Sequence, residues 1–171
     1  MPLIRRGPHI MSEFTHFNED GASRMVDVGA KKVTERMARA VAMLEMQPET
    51  LELIRDRKLS KGDVLEVARL AGIMSAKRTS DLIPLCHPLA IDSVTIDFQF
   101  PTPACLRIES AVTITARTGV EMAALVAAST TALTVYDMCK AVDRGMVLRE
   151  LHLLEKTGGR SGHFVHGEAD S

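Results

Sequence analysis

The segment KVTERMARAVAMLEM, Lys32–Met46, decides the fold. Its composition favours a helix, because Ala, Met, Glu and Arg are good helix formers. Yet Val33, Met37, Val41 and Met43 fall on one side of an alternating pattern, the period of a strand. Pro48 closes the segment on either reading. Which of the two holds depends on what lies on both sides of it.

Downstream, Leu51, Ile54 and Leu59 suit a short helix over Glu49–Leu59. A second helix is expected from near Ser60, where Ser60 and Asp63 have the spacing of a capping signal. Val64, Val67, Ala68, Ala71 and Met74 are its expected apolar face. A loop follows Thr79, its prolines Pro84 and Pro88 opposing regular structure. Val94, Ile96, Phe98 and Phe100 then alternate with Ser93, Thr95, Asp97 and Gln99, a half-buried strand whose phenylalanines should fill the core. Pro101-Thr102-Pro103 turns the chain, and Leu106, Ile108, Val112 and Ile114 mark the returning strand. Thr118 and Glu121 suggest a capping box for a long helix running to about Val142 and stopped by Gly145. A last strand spans Met146–Leu154 and leads into a glycine-rich tail. Upstream, Phe14–Phe17 and Met25–Val28 read as short extended pieces around the turn Asn18-Glu19-Asp20-Gly21. With Lys32–Met46 as a strand, the order is β-α-β-β-α-β: an α+β, ferredoxin-like antiparallel sheet with helices on one face. With it as a helix, only a less specific α+β reading remains.

The chain has 171 residues, 46% hydrophobic and 25% charged, which excludes disorder for most of its length. Lys and Arg number 21 against 22 for Asp and Glu, so no overall field draws in nucleic acid or a membrane surface. Aromatic residues make up 4%, with no Trp, leaving few platforms for stacked bases. No uninterrupted apolar run reaches the roughly 18 residues of a membrane span, and no signal peptide follows Arg5 and Arg6. A cytoplasmic location is expected. Cys86, Cys105 and Cys139 have no paired spacing, so neither a disulfide framework nor a zinc site is indicated.

From Met122 to Tyr136 no side chain is charged. A helix apolar nearly all round is buried on more than one side, and a neighbouring subunit is the economical cover for the side away from the sheet. Asp137 and Lys140 follow, three residues apart on one helix face. They suit a surface ion pair, or an acid and a base in a cleft. Lys61 stands beside Gly62 at a helix start, either solvated or part of an anion site. His87 lies between Pro84 and Pro88 as a structural hydrogen-bonding residue or a site residue, and Cys86 reads as packing rather than a nucleophile. The tail from Glu155 to Gly162 suits a flexible end, or a cover that brings Lys156 and Arg160 over a phosphate. Together these cations suit an anionic small molecule.

Several segments also resemble a known family. Phe14-Thr15-His16-Phe17, Met25-Val26-Asp27-Val28, Lys61-Gly62-Asp63-Val64 and Ala76-Lys77-Arg78-Thr79 belong to the likeness. So do Leu85-Cys86-His87-Pro88-Leu89, Gly119-Val120-Glu121-Met122, Tyr136-Asp137-Met138-Cys139-Lys140-Ala141 and Lys156-Thr157-Gly158-Gly159. In this order and spacing, from about Phe14 to Phe164, they resemble the cyclic pyranopterin monophosphate synthases, the C proteins of the molybdenum-cofactor pathway. The resemblance implies a lyase acting on a cyclic dihydro-GTP, supplied by a radical SAM GTP cyclase, and releasing pyrophosphate. It implies a homohexamer, a trimer of dimers, with active sites between subunits. Asp137 would be the acid/base residue with Lys61 and Lys140 beside it. Leu85, Cys86, His87, Glu121 and Met122 would bind the substrate, and Lys156 its phosphates. No resident metal is implied, although Mg2+ could accompany the triphosphate. Residues 1–12 would form a disordered leader, 13–164 a single catalytic domain and 165–171 a flexible tail.

Two positions depart from the family pattern. Ala123 stands where a glutamate is usual, which removes a carboxylate expected at the substrate, and Arg160 replaces a lysine. Two other readings compete. An RNA-recognition module of this topology would need aromatics on its central strands, and Leu106–Ile114 has none. A non-catalytic nucleotide-binding oligomer of the same fold would bind without turnover.

Overall fold

Residues 20–56, 62–159 and 162–167 are described by the structure, a computed structural model. The elements run β1 (Thr34–Glu45), α1 (Pro48–Arg55), α2 (Val64–Ala76), α3 (Thr79–Leu82), β2 (Ser93–Thr102), β3 (Cys105–Ala116), α4 (Glu121–Cys139), β4 (Val147–Thr157) and β5 (Phe164–Val165). The deciding segment is a strand. It lies inside one sheet of order β2-β3-β1-β4-β5, in which every neighbouring pair is antiparallel. This is the ferredoxin-like α+β arrangement, with a short fifth strand added at the β4 edge.

The inward side of β1 differs from the expected one. Ala38, Ala40, Ala42 and Leu44 are 0–2% exposed and belong to the core. Val33 is 55% exposed, and Val41 is buried with the opposite parity. The reason lies in α4, which rests on β1 and presents Ala124, Ala127 and Ala128 to the interior. Small side chains on both partners let helix and strand approach closely. On the other side of the sheet, Arg39 is ion-paired with Glu109 and Glu155, and Arg107 with Glu109 at 2.6 Å. By strand alternation and register, this open side carries Ser93, Thr95, Asp97 and Gln99 of β2 and no aromatic among the described strand residues.

Several local expectations need correction. Pro48 begins α1 rather than merely ending the preceding segment. Asp63, not Ser60, caps α2, its side chain accepting from the Glu66 N–H at 3.2 Å. Ser60 lies outside the described residues, as do Phe14–Phe17, Lys61 and Arg160. The buried side of α2 is Val64, Ala68, Gly72, Ser75 and Ala76, leaving Val67 and Met74 exposed. That choice follows from close packing against α4. A Cβ at Gly72 would collide with Ile96 and Thr131. At the head of α4, Val120 is the cap and no side chain completes it, because Glu121 is engaged elsewhere. The helix ends at Cys139 rather than Val142. Phe98 is half-buried and Phe100 is 38% exposed, each beneath an arginine, Arg69 and Arg55 respectively.

The second cover for α4 comes largely from its own chain. The sheet lies on one side and α2 on another, burying Ala123, Ala127, Thr131 and Val135. Ala127 is therefore an interior residue rather than a subunit contact. Met122 and Leu133 remain exposed, at 37% and 60%, on an outward stripe with Leu125. By length and hydropathy α4 could cross a bilayer, but half of that stretch is buried inside the chain.

Candidate active site

A cleft of about 610 Å3 opens where the loop after α3 meets the start of α4. Leu85, Cys86 and His87 form one wall, Glu121 and Met122 another. All five were expected from the sequence to bind substrate, and the fold brings them together across more than thirty positions of chain. The loop holds its shape through a turn in which the Cys86 N–H donates to the Ile83 carbonyl at 3.0 Å. Val26, Val28 and Lys31 close the third side. Sequence reasoning did not single these out as site residues, although Met25–Val28 was among the family-like segments. Thr118 and Gly119 complete the rim, and a Cβ on Gly119 would run into the Glu121 carboxylate.

Lys156 reaches the same place from β4. Its Nζ donates to Glu121 Oε1 at 3.1 Å, with side chains 22% and 34% exposed. The pair couples the edge of the sheet to the head of α4. Immediately beyond, Gly158 has φ +88° with its Cα against the Glu35 carbonyl, a conformation and a fit that favour glycine. The described part of the tail turns on the sheet here, and β5 pairs back on β4 through Lys156↔Phe164 and Glu155↔Val165.

Burial raises the Cys86 thiol pKa above its ordinary value, and the nearby Glu121 charge raises it further. Cys86 is thus held as a neutral thiol, suited to lining the cleft rather than attacking a substrate. Ala123 turns away from the cleft into the core, with 2% exposure. In this chain residue 123 does not line the cleft, and a glutamate there would be buried.

Asp137 and Lys140 lie at the other end of α4. Their salt bridge is short, 2.6 Å, and exposed, with side chains 66% and 53% accessible. Sixteen residues of helix from Glu121 correspond to about 24 Å at about 1.5 Å per residue. Within one chain, then, the expected acid/base pair and the expected substrate cleft are separate. Among the described residues no group of three or more His, Cys, Asp and Glu is arranged to hold a metal ion.

Comparison with known proteins adds the following. The chain matches the MoaC family over residues 25–159. It is 56% identical over 153 residues to a cyclic pyranopterin monophosphate synthase of Desulfitobacterium hafniense, covering 90% of this chain and 94% of the relative. It is also 56% identical over 156 residues to proteins named cyclic pyranopterin monophosphate synthase 3 in Mycobacterium bovis and Mycobacterium tuberculosis, covering 91% of this chain and 88% of each relative.

Proposed function

Given that the chain belongs to the MoaC family, we propose that it is a cyclic pyranopterin monophosphate synthase of molybdenum-cofactor biosynthesis. It acts as a lyase on (8S)-3',8-cyclo-7,8-dihydroguanosine 5'-triphosphate, opening the purine, building the pyranopterin with its cyclic phosphate and releasing pyrophosphate. The substrate comes from a radical SAM GTP cyclase, and the reaction takes place in the cytoplasm. The observation that carries this reading is the cleft, which gathers Leu85, Cys86, His87, Glu121 and Met122 from two distant segments. Lys156 is ion-paired with the Glu121 of that wall.

The residues divide the work by chemistry. Apolar Leu85 and Met122 cover the flat ring system, while His87 and Glu121 address its polar edge. Lys156 and Lys61 hold the phosphates and balance the charge that grows as pyrophosphate leaves. Asp137 moves the protons that ring opening requires, and Lys140, bridged to it at 2.6 Å, supplies a proton donor beside it. Because about 24 Å of α4 separates the two groups within one chain, the complete site is formed between copies of the chain, in keeping with the homohexamer, a trimer of dimers, that the family resemblance implies. The exposed Met122 and Leu133, with half-buried Leu125 between them, support such an assembly.

The test is incubation with the cyclic intermediate and assay of pyrophosphate. The native chain should release it. Asp137→Asn should bind the intermediate yet turn over at least about a hundredfold more slowly, the scale of losing an acid/base group. Tight binding by the native chain with no pyrophosphate would favour the non-catalytic oligomer and overturn the proposal.

A further inference from the structure

Asp143 is a buried carboxylate, 6% exposed, in the turn between α4 and β4. One of its oxygens, Oδ1, accepts from the Gly145 N–H at 2.9 Å, a local turn contact. The other, Oδ2, accepts from the Gln47 N–H at 2.8 Å, and Gln47 lies 96 positions away at the head of α1. The same residue is tied to the last turn of α4, since its own N–H donates to the Cys139 carbonyl at 3.0 Å. The Val142 N–H donates to that carbonyl as well, at 2.9 Å. Tyr136 closes the turn from the helix side, its hydroxyl donating to the Arg144 carbonyl at 3.3 Å.

Asp137 and Lys140 sit on this last turn, with their side chains largely in solvent. Helix ends fray unless something fixes them, and no glycine closes α4 at its cap, which is Lys140. Beside the buried packing of Cys139, the Asp143–Gln47 contact registers the turn on the rest of the fold. We infer that Asp143 is a positioning residue for the Asp137–Lys140 pair, holding the end of α4 against the β1–α1 junction. The inference rests on the acid/base reading of Asp137. Its value to the reaction is geometric, because a proton donor displaced by about 1 Å can lose about a hundredfold in rate.

Gln47 offers a test that leaves every side chain of the turn in place. Its φ of −64° is that of proline, so Gln47→Pro keeps the backbone conformation and breaks the contact from the α1 side, replacing the N–H that Asp143 accepts with a ring methylene. In pyrophosphate release by the full assembled chain, Gln47→Pro should lower kcat at least about tenfold and leave KM within about twofold. Asp143→Ala should do the same, and the double variant should be no worse than Asp143→Ala alone, since all three lose the Gln47 contact. In an Asp137→Asn background, Gln47→Pro should have no further effect on kcat. A lower Tm with unchanged kcat in both single variants would make Asp143 merely structural and overturn the inference. Full turnover by Asp137→Asn would instead overturn the acid/base reading, and with it the route by which Asp143 acts.

Discussion

Lys156 and Glu121 show why a charge pair in a cleft differs from one on a surface. At 3.1 Å and partly shielded, each neutralises the other while the cleft is empty. Substrate phosphates compete with Glu121 for Lys156, so Lys156→Ala removes an attraction and leaves a bare carboxylate to repel. Affinity for the cyclic intermediate should fall about tenfold or more, the worth of a charge-assisted hydrogen bond, and the loss should be greater at low salt. Titration at two ionic strengths checks this, and unchanged affinity would place the phosphates elsewhere. Single residues also mark where sequence reasoning reached its limit. The family resemblance placed a glutamate at position 123 beside the substrate, next to Glu121 and Met122, so Ala123 read as a missing carboxylate. One further residue turns a helix by about 100°, and that step carries Ala123 into the core.

At the scale of elements, α2 and α4 are specified by small residues more than by large ones. The expected apolar face of α2 included Val67 and Met74 with Ala68, yet Val67 and Met74 are exposed while Ala68 and Gly72 are buried. Gly72→Ala ought to raise helix propensity by about 1 kcal/mol. The added methyl would instead meet Ile96, Thr131 and the Ala127 carbonyl, none of which has room to move. Overpacking of this kind costs about 1–3 kcal/mol, so a net loss of stability in denaturant unfolding is expected. A stabilised variant would mean that the α2–α4 contact is looser than its geometry indicates. β1 teaches the same lesson. Its alternating pattern was visible, but alanine has too little hydrophobicity to declare which side is inside.

For the whole molecule, the outward stripe on α4 and the open side of the sheet make separate predictions. Leu133 is exposed in the single chain, so Leu133→Glu should leave the fold intact. A carboxylate buried without a partner in a subunit interface costs several kcal/mol, so assembly and turnover should fail together. Sedimentation of the variant checks it, and unchanged mass with unchanged turnover would remove this surface from the interface. On the open side of the sheet, burial alone would raise the Glu109 pKa, but hydrogen bonds from Arg39 and Arg107 outweigh it and hold it below 4.5. Glu155 is lowered by His163 and by Arg39. A depressed carboxylate contributes stability above its unfolded pKa and loses it as pH falls through the folded value. Thermal stability should therefore drop on acidification from about pH 4.5 downward. Glu109→Gln should lower stability near neutrality and flatten that acid limb, as a Tm series would record.

The order of elements and the alternating β2–β3 hairpin were legible in the sequence by itself, because period and motif spacing are local properties, whereas the residues that line the cleft were named by the family resemblance. The hexameric expectation came from the resemblance alone. Only the tertiary structure decided which side of β1 is the core, which residue caps α2, and that α2 covers much of α4. It alone joined Asp143 to Gln47 across 96 positions. The reason is physical. Small residues such as Ala and Gly have little preference of their own, so the face they present is set by what packs against them, and a one-dimensional pattern does not contain that partner.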